Sequence, residues 1–125
     1  MTPVYPKKNP RPWRVGFVST ALQGHEPIRA MLDLERHPDI DLKYVMLAEI
    51  NQGIMRHLDF LVMPHGNALF YKTHMKAPFT QQQFLNFMDR GGVILATGNA
   101  ATVIPAHRNL KKLPEKVDFK KYILK

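Results

Sequence analysis

The chain of 125 residues contains no cysteine. Disulfides, thiolate metal sites and a cysteine nucleophile are therefore excluded. No apolar run approaches the roughly 18 residues that a membrane span needs. The basic N-terminus is not followed by an apolar signal core. A soluble, cytoplasmic protein is the expectation. Acidic residues are missing from residues 1–14, which hold Lys7, Lys8, Arg11 and Arg14. They are scarce again in residues 108–125, where seven cations accompany only Glu115 and Asp118. The formal net charge of +8 therefore resides in the two ends, because residues 15–107 carry one more acid than base. Such ends are candidate contacts for an anionic partner, nucleic acid included. Solvated tails have the same composition, and neither end interleaves aromatic rings with cations as a single-strand-binding surface does.

The length fits one domain, and 45% apolar residues suffice for a core. Residues 1–12, rich in proline and lysine, read as an extended basic arm. Residues 13–19 are β-branched and aromatic and read as a buried strand. A helix is expected from Pro27 to about His37, with Ile28, Met31, Leu32 and Leu34 at helical spacing. A second strand follows around 42–46, then a short helical turn at 48–56. Residues 59–64 and 93–97 are nearly all apolar, the pattern of strands buried on both faces of a parallel sheet. Between them, residues 68–79 read as a long loop. Thr80 reads as the cap of a helix that Gly91 and Gly92 end. A short helix from Ala100 is curtailed by Pro105. Residues 108–125 read as a basic tail, with 118–125 left open between a lysine-guarded edge strand and a loose end. The body, 13–107, alternates strands with helices. That alternation predicts a mainly parallel sheet of four to five strands with right-handed crossovers.

In such sheets, ligands bind beyond the carboxyl ends of the strands. That rule selects Ser19, Thr20 and His25 after the first strand, His65, Gly66 and Asn67 after the third, and Thr97, Gly98 and Asn99 after the fourth. Glycine lets backbone N–H groups approach a ligand, and small polar residues supply partners. The same residues are ordinary turn chemistry. His25, His65 and His74 would have to converge from three loops to hold a metal, with Glu26 the one nearby carboxylate. No metal and no cofactor are expected. Phe70, Tyr71, Met75 and Phe79 give the 68–79 segment an apolar, aromatic character suited to an interface.

The run from Leu58 to Asn67, a helix closing on Gly91-Gly92, and the strand 93–97 leading to Gly98-Asn99 together resemble the class I glutamine amidotransferase-like superfamily. The resemblance covers residues 13–105. It implies a flavodoxin-like, three-layer α/β fold in which a strand ends in Pro-Gly-Gly and a sharp elbow carries the catalytic cysteine. Here Pro64-His65-Gly66 stands in the first place and Gly98 in the second. Thr97 is adjacent, but a threonine nucleophile needs an activating base. His107, with Glu115 beyond it, is the one late histidine. Amidotransferase chemistry is therefore not expected, and no catalytic residue is assigned. The pattern is most similar to branches without that chemistry, the trimerisation domain of certain β-galactosidases and the trehalose-utilisation-like group. A module for self-association or partner binding is the leading expectation. The alternatives are small-ligand binding or hydrolysis at the strand ends, with His65 as base and the Gly66 and Asn99 amides as oxyanion donors, and nucleic-acid binding through the basic ends.

Overall fold

In the computed structural model, which describes residues 11–19, 25–114 and 116–124, the described residues alternate strands with helical segments. The order is β1 (Trp13–Val18), α1 (His25–Glu35), β2 (Ile40–Val45), α2 (Leu47–Asn51), a 3-10 turn (Ile54–His57), β3 (Phe60–Met63), α3 (Ala68–Met75), α4 (Pro78–Asp89), β4 (Val93–Thr97), a second 3-10 turn (Gly98–Val103), β5 (Leu110–Leu113) and α5 (Lys120–Ile123). The five strands form one sheet in the order β2-β1-β3-β4-β5, every pair parallel. This is the flavodoxin-like order, with its switch point between β1 and β3.

The apolar runs explain the layers. Leu61, Val62, Met63, Ile94, Leu95 and Ala96 are all fully buried, because the sheet is covered on both faces. Successive side chains alternate between those faces. Leu61, Met63, Ile94 and Ala96 pack with Ile50 of α2, Tyr71 and Met75 of α3, and Phe84, Phe87 and Met88 of α4. Val15, Phe17, Val62 and Leu95 pack on the other side with Leu34 of α1, Ile123 of α5 and Phe119 just before it. Each large side chain buried in this way contributes about 1.5–3 kcal/mol. Gly16 is required by close packing: a Cβ there would lie 2.5 Å from Leu58 Cδ1 and 2.8 Å from Val45 Cγ2.

The structure corrects three expectations. The long loop at 68–79 is instead α3 and the start of α4. Asn67 caps α3 by accepting from the Phe70 N–H at 2.9 Å, and Tyr71 and Met75, four residues apart, meet the core on one helical face. Thr80 is not a cap. It lies inside α4, which opens on Pro78, and its hydroxyl donates to Asn51 Oδ1 at 3.0 Å. The basic tail at 108–125 is part of the domain, not an appendage. Leu110–Leu113 adds a fifth parallel strand beside β4, and the described part of 118–125 is neither an edge strand nor a loose end, because Phe119 and Ile123, at the start and end of α5, are buried. Of the basic arm, residues 1–10 lie outside the described residues. Arg11 is anchored, with its guanidinium 3.1 Å from Asp59 Oδ2. Burial pushes the Asp59 carboxyl up, but the Arg14 N–H and the Arg11 and Arg14 guanidiniums outweigh it and hold its pKa below the usual carboxylate range. Among the described residues, no helix is long and apolar enough to cross a membrane.

Candidate functional site

Adjacent strands β3 and β4 end side by side, and their loops are bonded to each other. The His65 N–H donates to Thr97 Oγ1 at 2.7 Å. The Gly66 N–H donates to Asn99 Oδ1 at 3.0 Å, and Asn99 Nδ2 returns a bond to the Gly66 carbonyl at 2.6 Å. The Asn99 N–H donates to His65 Nδ1 at 3.1 Å. The Asn99 carboxamide thus satisfies both backbone groups of Gly66, and the His65 ring satisfies the Asn99 N–H. Beneath this cross-link, the buried Tyr71 hydroxyl donates to the Pro64 carbonyl at 2.6 Å. Burial pushes the Tyr71 phenol far above its ordinary pKa, so it remains a donor.

Gly98 makes the cross-link fit. Its φ is +54°, and a Cβ at this position would collide with the His65 imidazole. The elbow after β4 therefore has neither a reactive side chain nor room for one.

Five of the residues selected from sequence meet here: His65, Gly66, Thr97, Gly98 and Asn99. Asn67 is adjacent but spends its side chain capping α3. Ser19 stands at the end of β1 with its N–H donated to the Val45 carbonyl at 3.1 Å. Thr20 lies outside the described residues, as does the side chain of His25, the first residue of α1.

The geometry decides what these groups can do. The two amides offered as oxyanion donors are those of Gly66 and Asn99, and both are already donated within the protein. With Nδ1 accepting, the neutral His65 ring carries its proton on Nε2. Neither nitrogen is then a free base. The Thr97 hydroxyl accepts from the His65 N–H, and the residue is 2% exposed. The cluster is a brace between two loops.

Of the candidate interface residues, Tyr71 and Met75 are fully buried and cannot meet a partner. Both belong to the core, because α3 turns their face inward. Phe70 is half-buried, with its ring 4.7 Å from that of His74. Phe79 is exposed. It lines a groove of about 290 Å³ between α4 and the first 3-10 turn, with Asn51, Arg56, Gln83, Asn86 and Arg90. Among the described residues, no carboxylate lines this groove.

The sequence reading missed a second exposed apolar surface. Ile28 (44%), Leu32 (41%), Tyr44 (44%) and Met46 (55%) lie on α1, on β2 and at its end. In α1, Leu34 faces the core while Ile28 and Leu32 do not. The helix has apolar residues around more of its circumference than one buried face needs, which is the signal that marks such a surface.

No family model matches the chain, and no curated protein does.

Proposed function

We propose that this chain is a non-catalytic α/β module whose work is association with a second copy or a protein partner. The observation that carries the reading is the exposed apolar surface on α1 and β2. Large apolar side chains held in water at one margin of a sheet mark a contact surface. The brace at the strand ends supports the same reading, since it occupies the groups that strand-end hydrolysis would use. The resemblance to non-catalytic branches of the class I glutamine amidotransferase-like superfamily points the same way. The test is the solution mass by light scattering after size exclusion, across concentration and at low and high salt. The reading predicts a species of at least twice the 14.4 kDa chain mass, or a defined complex with a partner. A chain that stays at 14.4 kDa and retains no partner contradicts it.

A second reading, capture of a small anion, is favoured by the groove that Arg56 and Arg90 line with no carboxylate among the described residues. Titration with inorganic phosphate, followed by the backbone amide shifts of residues 51–56 and 83–90, tests it. Unmoved shifts at millimolar phosphate reject it.

A further inference from the structure

The two edges of the sheet differ. β5 presents Lys111 and Lys112, both exposed, and lysines along an edge discourage a second strand from pairing. β2 instead carries one acid and one base, Asp41 and Lys43, on the same face and both exposed. Neither side chain has a partner among the described residues.

The backbone of β2 is half used. The Trp13 N–H donates to the Asp39 carbonyl at 2.9 Å, and the Ser19 N–H to the Val45 carbonyl at 3.1 Å. With the register Trp13↔Ile40 through Val18↔Val45, these bonds fix the parity of the ladder. Backbone groups of the odd-numbered residues face β1. Those of Leu42 and Tyr44 face outward, with no backbone partner among the described residues.

A second copy of β2 can add antiparallel about a two-fold axis through any residue from 40 to 44, and three of these registers are centred on the charged stretch 41–43. An axis through residue 41 opposes Asp41 to the second copy's Asp41. An axis through residue 43 opposes Lys43 to the second copy's Lys43. An axis through Leu42 opposes Asp41 to the second copy's Lys43, and Lys43 to its Asp41. Opposite charges across a strand pair stabilise, and like charges destabilise. The third register also makes Leu42 a hydrogen-bonded pair with itself. It leaves Asp41 and Lys43 at the non-hydrogen-bonded positions, where side chains come closest.

The other face of the edge fits the same axis. The Tyr44 hydroxyl donates to Glu35 Oε2 at 2.8 Å, which sets the last turn of α1 beside β2. Leu32 and Ile28 lie one and two turns earlier on the same helical face, both exposed. A two-fold axis turns this patch toward its own copy, the arrangement that an isologous interface requires.

We propose that the chain forms a two-fold dimer by antiparallel pairing of β2 with β2, centred on Leu42, with reciprocal Asp41–Lys43 ion pairs. The proposal rests on the self-association reading and specifies its interface. Charge exchange tests it, measured by sedimentation equilibrium with circular dichroism as the check on folding. Asp41→Lys sets lysines opposite lysines, and Lys43→Asp sets acids opposite acids. Each single variant weakens the dimer by about tenfold or more. The double variant Asp41→Lys/Lys43→Asp restores it. An equimolar mixture of the two single variants forms a heterodimer tighter than either homodimer. A dimer that neither single variant weakens overturns this register while leaving self-association standing. A wild-type chain that remains monomeric overturns both.

Discussion

Replacing Gly98 by alanine tests the brace at the strand ends. Two costs follow from the structure. At φ +54° an L side chain pays about 1–2 kcal/mol for the left-handed backbone, partly offset by the smaller entropy of the unfolded chain. The new Cβ also meets the His65 ring, which must move and give up the bond from the Asn99 N–H. A lost bond of this kind costs about 1 kcal/mol, and an off-rotamer ring adds to it. The expected loss is about 2–3 kcal/mol, measured by urea unfolding with a constant m-value. In a domain of this size that lowers Tm by roughly 6–15 °C. Gly91 is the control. Its φ is +98°, but a Cβ there meets nothing within 4 Å, so Gly91→Ala should cost only about 1 kcal/mol, the backbone part alone. Equal losses at the two glycines would refute the claim that His65 fills the space above Gly98.

Asn99→Ala removes both bonds to Gly66, leaves a buried N–H without a partner, and should cost about 2–3 kcal/mol in chemical unfolding; a loss under about 0.5 kcal/mol would contradict the geometry. Tyr71→Phe strands the Pro64 carbonyl and should cost about 1–2 kcal/mol at neutral pH. The Tyr71 phenol is raised in the folded state, so its contribution is complete below the unfolded value near 10 and fades as pH rises above it. The Tyr71→Phe protein should therefore lose less stability above pH 10 than the wild type, read from urea midpoints. Asp59 is lowered, so its contribution is present above the ordinary carboxylate value and is lost as pH falls through its folded value. Asp59→Asn should flatten the acid limb of a stability–pH profile below pH 4, and an unchanged limb would contradict the Arg11–Asp59–Arg14 cluster.

The legible parts of the fold were those where one signal dominates. The runs 60–63 and 93–97 are continuous apolar segments, and only a sheet covered on both faces accommodates them. Gly91 and Gly92 marked the end of α4. The three loops of the site followed from the parallel sheet, and two of them do meet. Elements that depend on tertiary partners were less legible. α3 has polar and apolar residues in no clear stripe, and its Asn67 cap follows a strand so closely that the pair reads as a turn. β5 carries two lysines in four residues, because an edge strand needs only half the burial of a central one. The brace was not legible, since His65 and Asn99 lie 34 residues apart and bond only because β3 and β4 are neighbours. The charge pair on β2 was visible as letters, but its meaning required knowing which strand lies at the edge.

Amide hydrogen exchange at β2 tests the assembly most directly. In a lone chain the Leu42 and Tyr44 N–H groups point away from β1, while those of Asp41 and Lys43 face it. The proposed dimer predicts that Leu42 and Tyr44 become protected as concentration rises, reaching the protection of their odd-numbered neighbours. Leu42 and Tyr44 amides that exchange at the rate of open backbone at every concentration, beside protected Asp41 and Lys43, would contradict it.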